Sequence, residues 1–264
     1  MAVNLEHHSA PSAIALMERL GARFGTVIDA GCADGQFFVE LKSIGLLRGA
    51  SVFNVDAQAV YEPTLKRIKA AIGGDYRICA LGAEPGELAL GVGAHPYWSS
   101  PRPADDPYWD RVDGAKGAPI KVPMHRLDDL VRELDLKPPF LLKLDVQGAE
   151  VDVFRGAPET LARTEGVIVE ADIDDFAAIH SALDAAGMAL FDLAYFNRAP
   201  DQTLGWFYPV YVSRALAQRR ARRLWDAKDT PAAVAMQDAR RQRIKQALDQ
   251  QLPRLELARR MGQF

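Results

Sequence analysis

Four short apolar runs in this 264-residue chain each end on an acid. Val27-Ile28 precedes Asp29, Val52 to Val55 precedes Asp56, Leu141 to Leu144 precedes Asp145, and Val167 to Val169 precedes Glu170. Open parallel sheets bind their ligands outside the carboxyl ends of the strands, so acids in these positions are candidates for ligand contact. The first run leads into Asp29-x-Gly31-x-x-Asp34-Gly35 and then into a helical stretch from Gln36 to Lys42. Gly31 and Gly35 accept positive φ and carry no Cβ, so main chain there can approach a ligand. Amides opening the following helix aim at the same place.

The glycine spacing separates two cofactor classes. A pyrophosphate-bearing dinucleotide wants G-x-G-x-x-G. Carboxylates before and inside the turn repel a pyrophosphate, but they suit an ammonium and a sulfonium. S-adenosylmethionine carries both, which makes Asp29, Gly31, Cys32, Asp34 and Gly35 the expected cofactor turn; the alternative is a strand-to-helix turn with no ligand. Asp56 lies about 20–25 residues further on, where an acid that bonds ribose hydroxyls is expected, with Glu62 in reserve and a turn-capping role as the alternative. Tyr76 to Gly82 reads as a third strand and its exit, placing Leu81 and Gly82 near an adenine edge.

Methyl transfer from a sulfonium is an in-line displacement, so alignment and exclusion of water matter most. If the methyl goes to a hydroxyl, that oxygen is a poor nucleophile and calls for a general base. The candidates are Asp145, His125, Glu150 and His95. Asp145 has the best position, and His125 the more suitable intrinsic pKa. Lys143 and Asp145 interrupt a run that is otherwise apolar, and such residues are seldom buried unless paired or functional. Lys143 would pair with Asp145 or Glu170, or stabilise a developing alkoxide; the plainer readings are a structural ion pair and a loop histidine at 125. A divalent metal held by Asp145, Glu170 and His125 is a less favoured scheme. His7 and His8 read as solvated tail.

The elements that must position these residues alternate. A helix over Ser12 to Gly21, with Pro11 before it, precedes the first strand. Strands follow at 27–29, 50–56, 76–82, 141–146 and 166–171, with helices over 36–42, 63–72, 151–163 and 173–186 and a final hairpin over 189–212 linked by Asn197 to Gln202. Mostly apolar strands alternating with helices predict a Rossmann-like α/β fold with a mostly parallel seven-stranded sheet and a terminal antiparallel hairpin. From about 91 to 118 the pattern stops: Pro96-Tyr97-Trp98 and Pro107-Tyr108-Trp109 repeat a tripeptide in a Pro- and Gly-rich loop. Loops of that length inside compact domains are usually functional or disordered. Tyr97, Trp98, Tyr108 and Trp109 are therefore expected to form an acceptor-binding lid together with Gln147, or else to pin an ordered loop to the core.

Composition bounds the class. The chain is 48% hydrophobic and 25% charged with a net charge of −3, ordinary for a globular protein and no argument for nucleic acid as a partner. Residues 1–9 lack a signal peptide's apolar core, no apolar run is long enough to span a bilayer, and Cys32 and Cys79 fit reduced thiols, so a cytoplasmic protein is expected. Residues 214–264 carry 13 Lys and Arg against 5 Asp and Glu. This basic segment is expected to be a helical extension to a 1–213 domain, broken or kinked at Pro253. Val234, Ile244, Leu248 and Leu252 lie roughly on one face. A homodimer through these helices, a cover over the acidic domain, or a dock for an anionic acceptor are the readings in view.

The block Leu142-Lys143-Leu144-Asp145-Val146-Gln147-Gly148-Ala149-Glu150, with Phe154-Arg155-Gly156-Ala157 and Leu161 downstream, resembles the hallmark of the FkbM-type S-adenosylmethionine-dependent methyltransferases. Arg126-Leu127-Asp128-Asp129-Leu130 and Val167-Ile168-Val169-Glu170 fit its flanks, and the likeness runs from about Val27 to about Val212. The family's first motif is usually Asp-x-Gly-Ala-Asn-x-Gly; Cys32-Ala33-Asp34 stands in that stretch here. The resemblance implies a Class I fold and methyl transfer, most often to a hydroxyl of a sugar, polyketide or similar small molecule. A non-catalytic module that binds the cofactor or a partner is the alternative, and the intact Asp29, Gly31, Asp56 and Asp145 set argues for an enzyme.

Overall fold

The structure, a computed structural model, describes residues 8–111, 119–219 and 230–260. The chain forms two compact units, 1–219 and 220–264. The strands of the first are β1 Thr26–Ala30, β2 Ser51–Asp56, β3 Asp75–Ile78, β4 Ala80–Leu81, β5 Gly86–Leu90, β6 Ile120–His125, β7 Phe140–Leu144, β8 Thr164–Val169, β9 Ala171–Asp172, β10 Met188–Arg198 and β11 Leu204–Ser213. Among the described residues the main sheet has the order β10-β11-β8-β7-β1-β2-β3, with short β9 also on β11. β1, β2, β3, β7 and β8 run parallel, and β11 is antiparallel to both β8 and β10. The expected seven-stranded, mostly parallel sheet with a closing hairpin is present.

β1 and β7 are buried along their whole length. A strand covered on both faces has no polar side to show, which is why these runs are apolar without alternation. Two apolar layers flank the sheet. Leu142, Leu144 and Phe53 face one layer with Leu127, Leu130, Phe154 and Leu183. Val27, Leu141 and Ile168 face the other with Ile14, Met17, Phe38 and Leu216. The helices of this unit are α1 Ala10–Arg19, α2 Gln36–Ser43, α3 Glu62–Ile72, α4 Tyr108–Arg111, α5 Leu127–Glu133, α6 Glu150–Arg155, α7 Pro158–Leu161, α8 Phe176–Ala185 and α9 Arg214–Ala217; all but α3 and α4 supply the two layers.

Four expectations about the elements change. α1 begins two residues before Ser12: Ser9 is the N-cap and exchanges a capping box with Ser12, leaving Pro11 in the first turn, where its missing N–H costs nothing. The third strand is split at Cys79: β3 pairs with β2, while β4 joins a separate three-stranded sheet, β4-β6-β5. The helix expected over 151–163 divides into α6 and α7, because Pro158 restarts it and buried Asp128 caps the second piece. The Asp128 carboxylate accepts from the backbone of Glu159 and Thr160 and from Thr160 Oγ1, at 3.0, 2.8 and 2.6 Å. Finally, the long helix α10, Thr230–Arg260, continues through Pro253, so the one absent N–H does not end it. Its Val234, Met236 and Ile244 are exposed. The remainder of the Arg-rich stretch to Arg223, and residues 112–118 of the insertion, lie outside the described residues. Among the described residues no helix is long and apolar enough to cross a membrane.

Candidate active site

β1, β2, β7 and β8 end together, and their main chains stay tied just past the strands. Gly31 N donates to Val55 O at 2.9 Å, Asp145 N to Ala30 O at 3.0 Å, and Glu170 N to Leu144 O at 2.8 Å. Gly31 has a φ of +69°, and a Cβ there would stand 1.8 Å from Asp145 O. The first loop and the loop after β7 therefore touch through bare backbone, which only glycine permits at this place.

At this edge lies a pocket of about 460 Å³, inside the roughly 300–1,000 Å³ range of small-ligand sites. Of the expected cofactor residues, Gly31, Asp56, Leu81 and Asp145 line it. Asp29, Cys32, Asp34, Gly35 and Gly82 stand outside its wall, each in a supporting place. Cys32 is buried. Gly35 is the left-handed N-cap of α2, with φ +74°. Asp34 takes the Tyr97 hydroxyl at 3.3 Å. Gly82 packs beneath Gly156, whose Cβ would meet Gly82 O at 2.1 Å. Asp56 is 7% exposed, and its oxygens accept from Ala33 N at 2.8 Å and Gln58 N at 2.9 Å. Burial raises its pKa, and these two amide bonds oppose the rise. Glu62, the reserve candidate, instead faces Tyr76 and Lys66 at 3.2 and 3.1 Å.

The charged core of the site follows from register. Parallel pairing sets Asp29 of β1 beside Lys143 of β7, and both side chains are buried. Lys143 Nζ donates to Gly31 O at 2.9 Å and stands 3.3 Å from Asp29 Oδ1 and 3.5 Å from Asp145 Oδ2. Burial pulls the lysine's pKa down, but Asp29 and Asp145 outweigh it and hold the ammonium charged. Burial raises the pKa of Asp29, with Lys143 opposing.

Asp145 and Glu170 share two hydrogen-bond donors. Gln147 Nε2 donates to Asp145 Oδ1 at 2.7 Å and to Glu170 Oε2 at 2.6 Å. The Tyr208 hydroxyl lies 3.0 Å from Asp145 Oδ2 and 3.2 Å from Glu170 Oε1. Burial opposes ionisation of Asp145, yet Lys143, then Glu170, Gln147 and Tyr208, hold its pKa below the ordinary carboxylate value. Burial and then the Asp145 charge push Glu170 well above it. Close acids in a low-dielectric site titrate as a pair, and here Asp145 is the one that ionises more readily and Glu170 the one that resists. Glu170 entered the sequence argument as a strand-end acid, a candidate partner of Lys143 and a weak metal ligand, not as a partner of Asp145. Tyr208 and the bridging role of Gln147 have no sequence signal beyond strand and turn.

Glu150 sits at the start of α6 and turns back on the preceding loop. Its carboxylate accepts from Val146 N at 3.2 Å and from Gly148 N at 3.1 Å. Burial lifts its pKa to about 7, against those amide bonds. A folded pKa above the unfolded value stabilises the fold fully below about pH 4.5 and loses that contribution as pH rises through about 7. Urea unfolding of the wild-type protein should therefore lose up to about 3 kcal/mol between these pH values relative to Glu150→Gln. Parallel pH profiles for the two proteins would show that Glu150 ionises normally.

The insertion forms the outer wall. Gln58 Nε2 donates to Pro96 O at 2.8 Å, and Tyr97 stacks on Tyr61 with centroids 6.0 Å apart. Ser100 Oγ donates to Gln147 O at 2.6 Å and Tyr108 OH to Gln147 Oε1 at 3.0 Å. Arg102 pairs with Asp106 at 3.4 Å and also with Asp175. Tyr97, Trp98, Tyr108 and Gln147 line the pocket, whereas Trp109 is buried against Gly91 and serves the loop itself. His95 caps the short turn at Pro96–Trp98, accepting from Tyr97 N at 3.3 Å. His125, expected as a rival base and metal ligand, ends β6 in the small sheet and does not line the pocket. Among the described residues no group of three or more His, Cys, Asp and Glu is arranged to hold a metal, so Asp145, Glu170 and His125 form no triad.

Comparison with known proteins matches residues 29–189 to the methyltransferase FkbM domain. The 2-O-methyltransferase NoeI of Sinorhizobium fredii is 45% identical over 62 residues, 24% of this chain and 24% of NoeI, so the match spans about a quarter of that relative. A methyltransferase FkbM structure from Methylobacillus flagellatus is 14% identical, with a TM-score of 0.47, over 70% of this chain and 43% of its own. Aeropyrum pernix fibrillarin, solved with S-adenosyl-L-methionine, is 10% identical with a TM-score of 0.43 over 76% of this chain and 74% of its own. The matched span runs from the end of β1 to the start of β10 and takes in Gly31, Asp56, Asp145 and Glu170: the chain belongs to the FkbM methyltransferase family.

Proposed function

We propose that this chain is an S-adenosylmethionine-dependent methyltransferase acting on a hydroxyl of a sugar, glycan or related small-molecule acceptor. The observation that carries the reading is the meeting of Gly31, Asp56 and the Asp145–Glu170 pair on one pocket wall at the carboxyl edge of the sheet. Family membership supports methyl transfer, and the name of NoeI supports oxygen as the atom methylated.

The donor set fits S-adenosylmethionine: a bare-backbone turn at Gly31, an acid at Asp56, apolar Leu81, Leu88 and Leu90, and an anionic reaction end. When bound, it supplies an electrophilic methyl group on a sulfonium. Asp56 would hold the ribose hydroxyls, and Leu81 with Tyr61 and Tyr97 would wall the base. Asp145 would accept the hydrogen of the acceptor hydroxyl and orient it, while Glu170 and Tyr208 fix the direction of its lone pairs. Lys143 keeps Asp145 ionised and the turn in place.

Asp56→Ala is expected to weaken S-adenosylmethionine binding by about 1–3 kcal/mol, the cost of leaving hydroxyls without their charged partner. Calorimetric titration measures it, with a thermal melt as the control for folding. Unchanged affinity in a folded variant would remove Asp56 from the site; wild-type protein that binds no S-adenosylmethionine would remove the whole reading.

A further inference from the structure

A second cavity of about 350 Å³ lies against Tyr208, walled by the aromatic rings of Phe37, Tyr195, Trp206 and Tyr208. It is joined to the first pocket by two residues. The Tyr208 ring lines the second cavity while its hydroxyl reaches Asp145 and Glu170, at 3.0 and 3.2 Å, in the first. Trp206 lines both and is 42% exposed. Trp206 and Tyr208 are two residues apart on β11, so they share a face and stand about 7 Å apart along the strand. Trp206, Asp145 and Glu170 all line the first pocket, so a six-membered ring lying on Trp206 shares that cavity with the carboxylate pair. Tyr195 extends this face, meeting Tyr208 edge-on at 5.4 Å.

Charge narrows the occupant. Lys143 on the second cavity's wall is engaged by Asp29, Asp145 and Gly31 O. Arg102 in the first is engaged by Asp106 and Asp175. Both cations are already answered, so neither is positioned to take a phosphate or carboxylate at the reacting ring. Of the insertion's aromatics, Tyr97 stacks on Tyr61 and bonds Asp34, Tyr108 bonds Gln147 and Trp109 is buried, which leaves Trp98, beside His95, as the rival platform in the first pocket. We propose that Trp206 and Tyr208 form the acceptor subsite, taking an uncharged sugar ring that stacks on Trp206 and presents a hydroxyl to Asp145 and Glu170. The negative face of the indole matches the polarised C–H edge of such a ring. This places the acceptor on the hairpin rather than under the Tyr97–Trp98 turn, and it rests on the methyltransferase reading above.

The test uses the full chain, S-adenosylmethionine labelled in its methyl group, and a panel of neutral methyl hexosides with their 6-phosphates. The wild-type protein should methylate a neutral hexoside in preference to its phosphate. Trp206→Ala should lower kcat/KM by about 10-fold or more, chiefly through KM, with S-adenosylmethionine affinity unchanged, and Trp206→Phe should recover most of the loss. The proposal is overturned if Trp206→Ala turns over as wild type, if Trp98→Ala rather than Trp206→Ala carries the KM effect, if the phosphates are preferred, or if no panel member is methylated by cofactor-bound wild-type protein. Wild-type protein that binds no S-adenosylmethionine fails the underlying reading instead.

Discussion

Asp145→Asn is expected to bind S-adenosylmethionine as well as the wild type and to turn over roughly 10²–10⁴-fold more slowly, the usual worth of a general base. Asparagine keeps the shape and still accepts from Gln147, which lies 2.7 Å from Oδ1. What it removes is a carboxylate whose ionised form is favoured by Lys143 at 3.5 Å. The pH profile gives an independent signature. With Glu170 pushed above the ordinary carboxylate range, the pair keeps one proton to higher pH than free acids would. Its basicity towards a hydroxyl increases once that proton leaves, so kcat should climb with pH on a limb lying above the usual carboxylate range. Glu170→Gln should flatten that limb. His125→Ala should stay within a few-fold of wild type, because β6 carries His125 away from the pocket. An inactive His125→Ala beside an active Asp145→Asn would reverse the assignment.

Lys143→Met should destabilise the fold at neutral pH by about 3–5 kcal/mol, the effect of leaving a buried charge without its partner. Methionine fills the space, so the loss is electrostatic. The Lys143 ammonium faces Asp29, which has 0% exposure and no other hydrogen-bond donor on either oxygen. Without it Asp29 must take up a proton or stay charged in an apolar layer. The sign follows: the folded variant holds protons more tightly, so its deficit is largest at neutral pH and shrinks as pH falls into the carboxylate range. Adding Asp29→Asn should restore most of the loss. Denaturant midpoints for the two variants at pH 5 and pH 7.5 decide it; a deficit that ignores pH and is not relieved by Asp29→Asn would mean packing, not charge.

The acids at strand ends were legible because a doubly buried parallel strand seldom holds an unpaired charge, and Asp56, Asp145 and Glu170 come to the pocket rim, whereas Asp29 stays inside β1, paired with Lys143. The lysine inside the fourth run was legible as a paired residue, but its partner was not: Asp29 is chosen by register, 114 positions away in the chain, which local pattern does not encode. Cys79 shows a second limit. The run Tyr76 to Gly82 reads as one strand, yet hydrogen bonds send its halves to different sheets, and that switch is what carries His125 out of the site. Trp206 and Tyr208 read only as hairpin residues because their role depends on which cavities their faces meet. The aromatic insertion was recognisable as something other than disorder, while the division of its rings between pocket wall and loop packing follows from contacts with Tyr61, Gln147 and Gly91.

The close approach of Gly31 to Asp145 O has a consequence for how such a site can diversify. Because the loops after β1 and β7 meet through main chain alone, the cradle's shape is carried by peptide geometry and strand register. Under the proposed acceptor subsite, substitutions on the hairpin would re-tailor what is methylated while this joint stays in register. At Gly31 itself the smallest possible replacement, one methyl group, would force one of the two loops to move. The joint is thus fixed by backbone contact and the frontage by side chains, and the proposed subsite predicts that single changes at Trp206 shift acceptor preference.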